Sequence, residues 1–144
     1  MRRRLIPLLA FATAALGTTF VLPAHATVDG IVVVMRGSEE RPALGDPDGV
    51  ATATLTFDSV TGQVCVRWRV RDIAPLTAAH IHLAPAGQAG PVVVPLPVPV
   101  GSASSGCTTA STTIVSNIIN DPAAYYVNIH NATYPGGAAR AQLG

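Results

Sequence analysis

The sequence predicts an all-β domain: an antiparallel Greek-key sandwich or barrel of about six to eight strands with one short helix. Three observations carry this. After residue 26, apolar residues recur at every second position through several segments, the period of a strand with one buried face. Clusters of Gly, Pro, Asn and Asp separate those segments at short intervals, as in sandwiches and barrels. One stretch, Ser111 to Asn120, breaks the pattern: Ile114, Val115, Ile118 and Ile119 follow the i, i+4 spacing of an amphipathic helix, and Pro122 ends it.

The N-terminus has a separate logic. Arg2, Arg3 and Arg4 form a positive cluster, Leu5 to Leu22 contains no charge, and Ala24-His25-Ala26 offers small residues at both positions a signal peptidase reads. Charge, apolar run and A-x-A-like site in that order predict a signal peptide over 1–26 and a mature domain over 27–144, secreted or otherwise extracytoplasmic. The competing reading, an uncleaved anchor, suffers from the Ala, Thr and Gly content of the apolar run. No cysteine precedes Cys65, which excludes lipid attachment at the cleavage site. Without residues 1–26 the chain keeps six arginines, no lysine and eight carboxylates, a net charge of −2. That balance argues against a nucleic-acid partner and against electrostatic binding to anionic lipid, and no membrane span remains after cleavage.

Cys65 and Cys107 are the two cysteines, and an even count in an exported chain reads as one disulfide. A redox pair would sit closer in sequence, as in C-x-x-C.

In chain order, Ile31 to Met35 is a β-branched run expected to be buried on both sides or at a sheet centre. Ala51, Ala53, Leu55 and Phe57 alternate with threonines, and Val64, Val66, Trp68 and Val70 alternate with Cys65, Arg67, Arg69 and Arg71. The turn cluster Asp58 to Gly62 makes these two a hairpin. The arginine stripe faces outward, an anion-binding face or, by ordinary surface statistics, a solvated one. Strands follow at Ala79 to Leu83 and Pro91 to Val94, with a Pro/Gly loop between them and Pro95, Pro97 and Pro99 stopping regular pairing. Gly101 to Gly106 reads as a flexible surface loop. Tyr125 to His130 and Ala138 to Leu143 are the closing strands around a Pro135-Gly136-Gly137 turn. Asp46-Pro47-Asp48-Gly49 reads as a turn, because a calcium loop needs more ligands. The sequon Asn131-Ala132-Thr133 reads as turn chemistry.

The order of Ala79-His80-Ile81-His82, Gly87 to Gly90, Pro91-Val92-Val93-Val94, Asn120-Asp121-Pro122, Tyr125-Tyr126-Val127-Asn128-Ile129-His130, Tyr134-Pro135-Gly136-Gly137 and Arg140-Ala141-Gln142-Leu143 resembles the CHRD domain. This module is repeated in chordin and also occurs alone in secreted bacterial proteins. The resemblance covers about residues 28 to 144. It implies a secreted, non-enzymatic binding or structural module, with an unidentified extracellular protein or cell-envelope component as partner.

All three histidines of the mature chain lie in these motifs. His80 and His82 share one face of a strand, with Cβ atoms roughly 6.5–7 Å apart. His130 shares its face with Tyr126 and Asn128. The opposite faces, Ala79, Ile81 and Leu83 on one strand and Tyr125, Val127 and Ile129 on the other, are the more apolar, so the histidines belong on the outer face. Three neutral imidazoles suit copper or zinc with one position left open. The other reading is a hydrogen-bonded polar patch, with Asn128, Tyr126 and Arg140 supporting the rings. Copper/zinc superoxide dismutase, which the H-x-H strand in a Greek-key barrel resembles, needs more imidazoles than this chain owns. No G-x-S-x-G elbow, paired-carboxylate or phosphate-cradling signature supports an enzyme. Beyond copper or zinc no cofactor is implied.

Overall fold

The computed structural model describes residues 27–144, so the signal-peptide segment lies outside the described residues. Eight strands follow in chain order: β1 (Thr27–Arg36), β2 (Val50–Asp58), β3 (Gln63–Arg71), β4 (Leu76–Leu83), β5 (Val92–Pro95), β6 (Ala103–Thr109), β7 (Tyr125–Asn131) and β8 (Ala139–Gln142). They form one antiparallel sheet in the order β5-β4-β7-β8-β1-β2-β3-β6, curled into a nearly closed barrel. The helix α1 (Thr112–Asn120) joins β6 to β7, and the Ser111 side chain caps it by accepting the Ile114 N–H at 3.1 Å. Its Val115 and Ile118 are fully buried in the barrel core. Among the described residues no helix is long and apolar enough to cross a membrane.

Period-two alternation builds the core. Ala51, Ala53, Leu55 and Phe57 of β2 point inward, opposite Val70, Trp68, Val66 and Val64 of β3 in the same register. The arginines of β3 point outward and are exposed. β4 and β7 contribute Ala79, Ile81, Tyr125, Val127 and Ile129. At about 25 cal/mol per Å² of apolar surface removed from water, this interior is the main stabilising term.

Two expectations are corrected, and for the β-branched run of β1 the sheet-centre alternative holds. β1 lies between β8 and β2 inside the sheet, with Val32 and Val34 61% and 52% exposed on its outer face. Leu83 is 43% exposed where the strand runs out into its loop. Most consequentially, Gly101 to Gly106 is not a surface loop throughout, since β6 begins at Ala103 and pairs with β3 over seven positions. Its small residues carry no apolar alternation. Its strand geometry comes from the backbone ladder along β3 and from a disulfide joining Cys65 to Cys107, which are directly opposite each other in that ladder.

The barrel's two end strands are linked by Leu96 to Ser102, a proline-rich bridge. Leu96 N–H donates to Ala79 O, extending the β4–β5 ladder, and Val70 N–H donates to Ser102 O, extending β3–β6. Between them Trp68 Nε1 donates to Pro97 O at 2.9 Å. Gly106 leaves room for the Pro97 ring, which a Cβ there would strike. The turn readings hold: Asp46 Oδ1 accepts the N–H groups of Asp48 and Gly49, and Asn131 Oδ1 accepts Tyr134 N–H.

Candidate metal centre

β4 and β7 are hydrogen-bonded neighbours, with His80 opposite Asn128, His82 opposite Tyr126 and Ala78 opposite His130. Because Ala79, Ile81, Val127 and Ile129 turn to the core, the alternate residues all fall on the outer face. β8 extends the same face, placing Arg140 beside Asn128 and Gln142 beside Tyr126. All six predicted site residues outside the disulfide therefore share one three-strand surface.

That surface is not bare. The loop Ala84 to Pro91 arches over it, tied down through its main-chain carbonyls. Arg140 Nη1 donates to Gln88 O at 2.6 Å and Nη2 to Pro85 O at 3.3 Å. Gln142 Nε2 donates to Ala84 O at 2.9 Å, and the Gly90 N–H donates to the Tyr126 hydroxyl. Under this cover His82 is 8% exposed and Arg140 2%. The Arg140 guanidinium lies 3.4 Å from the Tyr126 ring centroid, a cation–π contact. The His82 ring stacks on Tyr126 at 4.6 Å between centroids.

The three rings converge. His80 Nδ1 lies 3.2 Å from His130 Nε2, and one ligand nitrogen from each ring falls within 4.8 Å of the others. His82 Nδ1 is 2.8 Å from Gly90 O, and His130 Nδ1 is 3.0 Å from Pro135 O. A carbonyl accepts and never donates, so both Nδ1 atoms carry the proton. In the neutral rings Nε2 then holds the lone pair, and both Nε2 atoms point at one side chain, with Asn128 Oδ1 at 3.0 Å from each.

A residue that pattern reading passed over lies behind Asn128. Glu40, just past β1, is 2% exposed, and its Oε1 finds no hydrogen-bond partner among the described residues. Burial pushes its pKa up to about 7, against the pull of Arg140, the Arg41 backbone and a hydrogen bond from Asn128. A Cβ at Gly137 would collide with its carboxyl group. One of two adjacent acids between Gly37 and Pro42 carries no periodic signal of burial, and Gly137, which leaves it room, sits in a Pro135-Gly136-Gly137 stretch that reads as an ordinary turn.

Glu40, Asn128 and the histidines together admit two consistent proton distributions. With Glu40 ionised, the Asn128 amide donates to it, and Asn128 Oδ1 accepts from a ring protonated on both nitrogens. With Glu40 neutral, its O–H donates to the amide oxygen, and the turned NH₂ donates to the two Nε2 lone pairs. Burial, followed by the neighbouring rings His130 and His82, lowers the pKa of His80. Burial also lowers that of His130, outweighing the Pro135 carbonyl that favours its proton. Both shifts favour neutral imidazole, the form that binds metals.

No curated protein and no solved structure matches the chain. The model of the CHRD domain family matches residues 31–143, nearly the whole described barrel together with its histidine strands and their covering loop. The chain therefore belongs to the CHRD domain family.

Proposed function

We propose that this protein is an extracytoplasmic, non-enzymatic binding module that holds a copper or zinc ion through His80, His82 and His130. Membership in a non-catalytic domain family supports the binding role. One observation carries the metal: His82 and His130 each anchor Nδ1–H on a main-chain carbonyl. That second contact fixes tautomer and ring direction in metal-binding histidines generally. Both Nε2 lone pairs thereby converge on the space beside Asn128, and that of His130 lies 3.2 Å from His80 Nδ1. Ligands at about 2.0–2.1 Å around a tetrahedral ion sit roughly 3.3 Å apart. The His80–His130 nitrogens already meet that spacing, and the remaining separations, within 4.8 Å, would close by side-chain adjustment as an ion binds. Three imidazoles leave a position open for water or a partner's ligand.

A second reading is favoured by Asn128, whose amide sits 3.0 Å from both Nε2 atoms. It makes the cluster a self-satisfied polar plug that fixes the covering loop. Elemental analysis and zinc or copper titration of untagged protein exported to the periplasm separate the two. The metal reading expects close to one equivalent bound, lost in His80→Ala and in His130→Ala. Wild-type protein that binds no stoichiometric metal, or a His80→Ala variant that binds as well, leaves the plug.

A further inference from the structure

We propose that the outer face of β1, β2, β3 and β6 is a docking surface for a carboxylated polysaccharide. This face is separate from the histidine cluster and does not depend on it. Of the six arginines in the described chain, Arg36, Arg67, Arg69 and Arg71 lie on this face, all exposed, and no ion pair among the described residues engages them. The registers align them in rows. Val32, Thr54, Arg67 and Ser105 form one row, Val34, Thr52, Arg69 and Ala103 the next, and Arg36, Val50 and Arg71 the third.

Within these rows there is no carboxylate. Asp58, at the far end of β2, turns its side chain into its own turn, where it accepts the N–H groups of Val60 and Thr61 and the Thr61 hydroxyl. A chain whose described part has more acids than arginines has thus gathered most of its arginines in three rows that hold no carboxylate. An ordinary solvated face mixes the signs.

The shape of the array selects the partner. Arg67, Arg69 and Arg71 form a line along one strand, roughly 7 Å apart from the strand rise. A line of charges fits a linear polymer with one anion per repeat better than it fits a lipid surface. The guanidinium fork pairs with carboxylate in two parallel hydrogen bonds. Thr52 and Thr54 on one side and Ser105 on the other bring hydroxyls beside the arginines, suited to sugar hydroxyls. The pairs are solvent-exposed, so each adds little, and affinity comes from several along the polymer.

Polygalacturonate, neutral dextran and phosphatidylglycerol vesicles are the probes, used with the mature secreted protein. Polygalacturonate is expected to bind in low salt and to be released as salt screens the charges. Dextran is expected not to bind, and vesicles to bind more weakly. The double variant Arg67→Gln/Arg69→Gln should bind about tenfold more weakly, while Arg67→Lys/Arg69→Lys keeps part of the affinity. An unchanged glutamine variant, binding that survives high salt, equal binding to dextran, or tighter binding to vesicles each overturns the proposal. Should the glutamine variant unfold, the salt and probe comparisons on the wild-type chain still decide it.

Discussion

A carboxyl group buried beside Asn128 and Arg140, with a pKa of about 7 in place of 4.5, makes Glu40 a source of pH-dependent stability. Its folded-state pKa lies above the unfolded value, so the folded chain holds the proton more tightly. Its contribution is fully present below pH 4.5 and is lost as pH rises toward 7. The span corresponds to about 3 kcal/mol at 1.36 kcal/mol per unit. Glu40→Gln, which cannot ionise, should flatten that slope and make the protein more stable than wild type above pH 7. Urea unfolding at pH 5 and pH 8 checks this, and equal slopes for the two proteins would contradict it. Residues such as Glu40 are hard to find in a sequence because burial of a lone acid is decided by what folds over it. The histidines were legible because each lies at an alternate position of a strand whose other face is apolar. What they touch was not: the carbonyls of Gly90 and Pro135 come from loops, and no side-chain pattern reports the direction of a carbonyl.

The same division runs through the elements. β2 and β3 were readable to within a residue at their ends because each has a single wet face, and α1 because its apolar spacing changes period. β6 was unreadable, since Ala103 to Thr109 has no large apolar residue to alternate. For β1 the four consecutive β-branched residues left double burial and a sheet-centre place open; the strand sits inside the sheet, and two of the four face solvent. The dependence of β6 on its neighbour gives a prediction. The Cys65–Cys107 bond closes a span of 42 residues, worth about 4 kcal/mol in the chain-entropy model. Cys107→Ser should lower the melting temperature clearly, and amide exchange should rise first in residues 103–109, with β2 and β7 still protected. Uniform loss of protection would mean that β6 is integral to the barrel's cooperativity.

For the whole molecule, the N-terminal Arg cluster, apolar run and Ala24-His25-Ala26 predict export with cleavage after Ala26. Intact mass of the exported protein should give a chain beginning at Thr27 with both cysteines oxidised; a species retaining Arg2 to Arg4 would count against it. Such a protein folds where it is released, among many copies of itself, and an eight-stranded open sheet would present two unpaired margins to them. The bridge from Leu96 to Ser102 alters that prospect. Pro95 at the end of β5 and Pro97 and Pro99 in the bridge have no N–H to lend to a foreign strand, Pro97 O is already taken by the Trp68 indole, and the ring of Pro97 rests against Gly106. The seam where the barrel fails to close is thereby poor in groups that could template amyloid-like growth or strand exchange between copies. Its three prolines, which in a sequence look like a mere interruption, act as a guard against self-association.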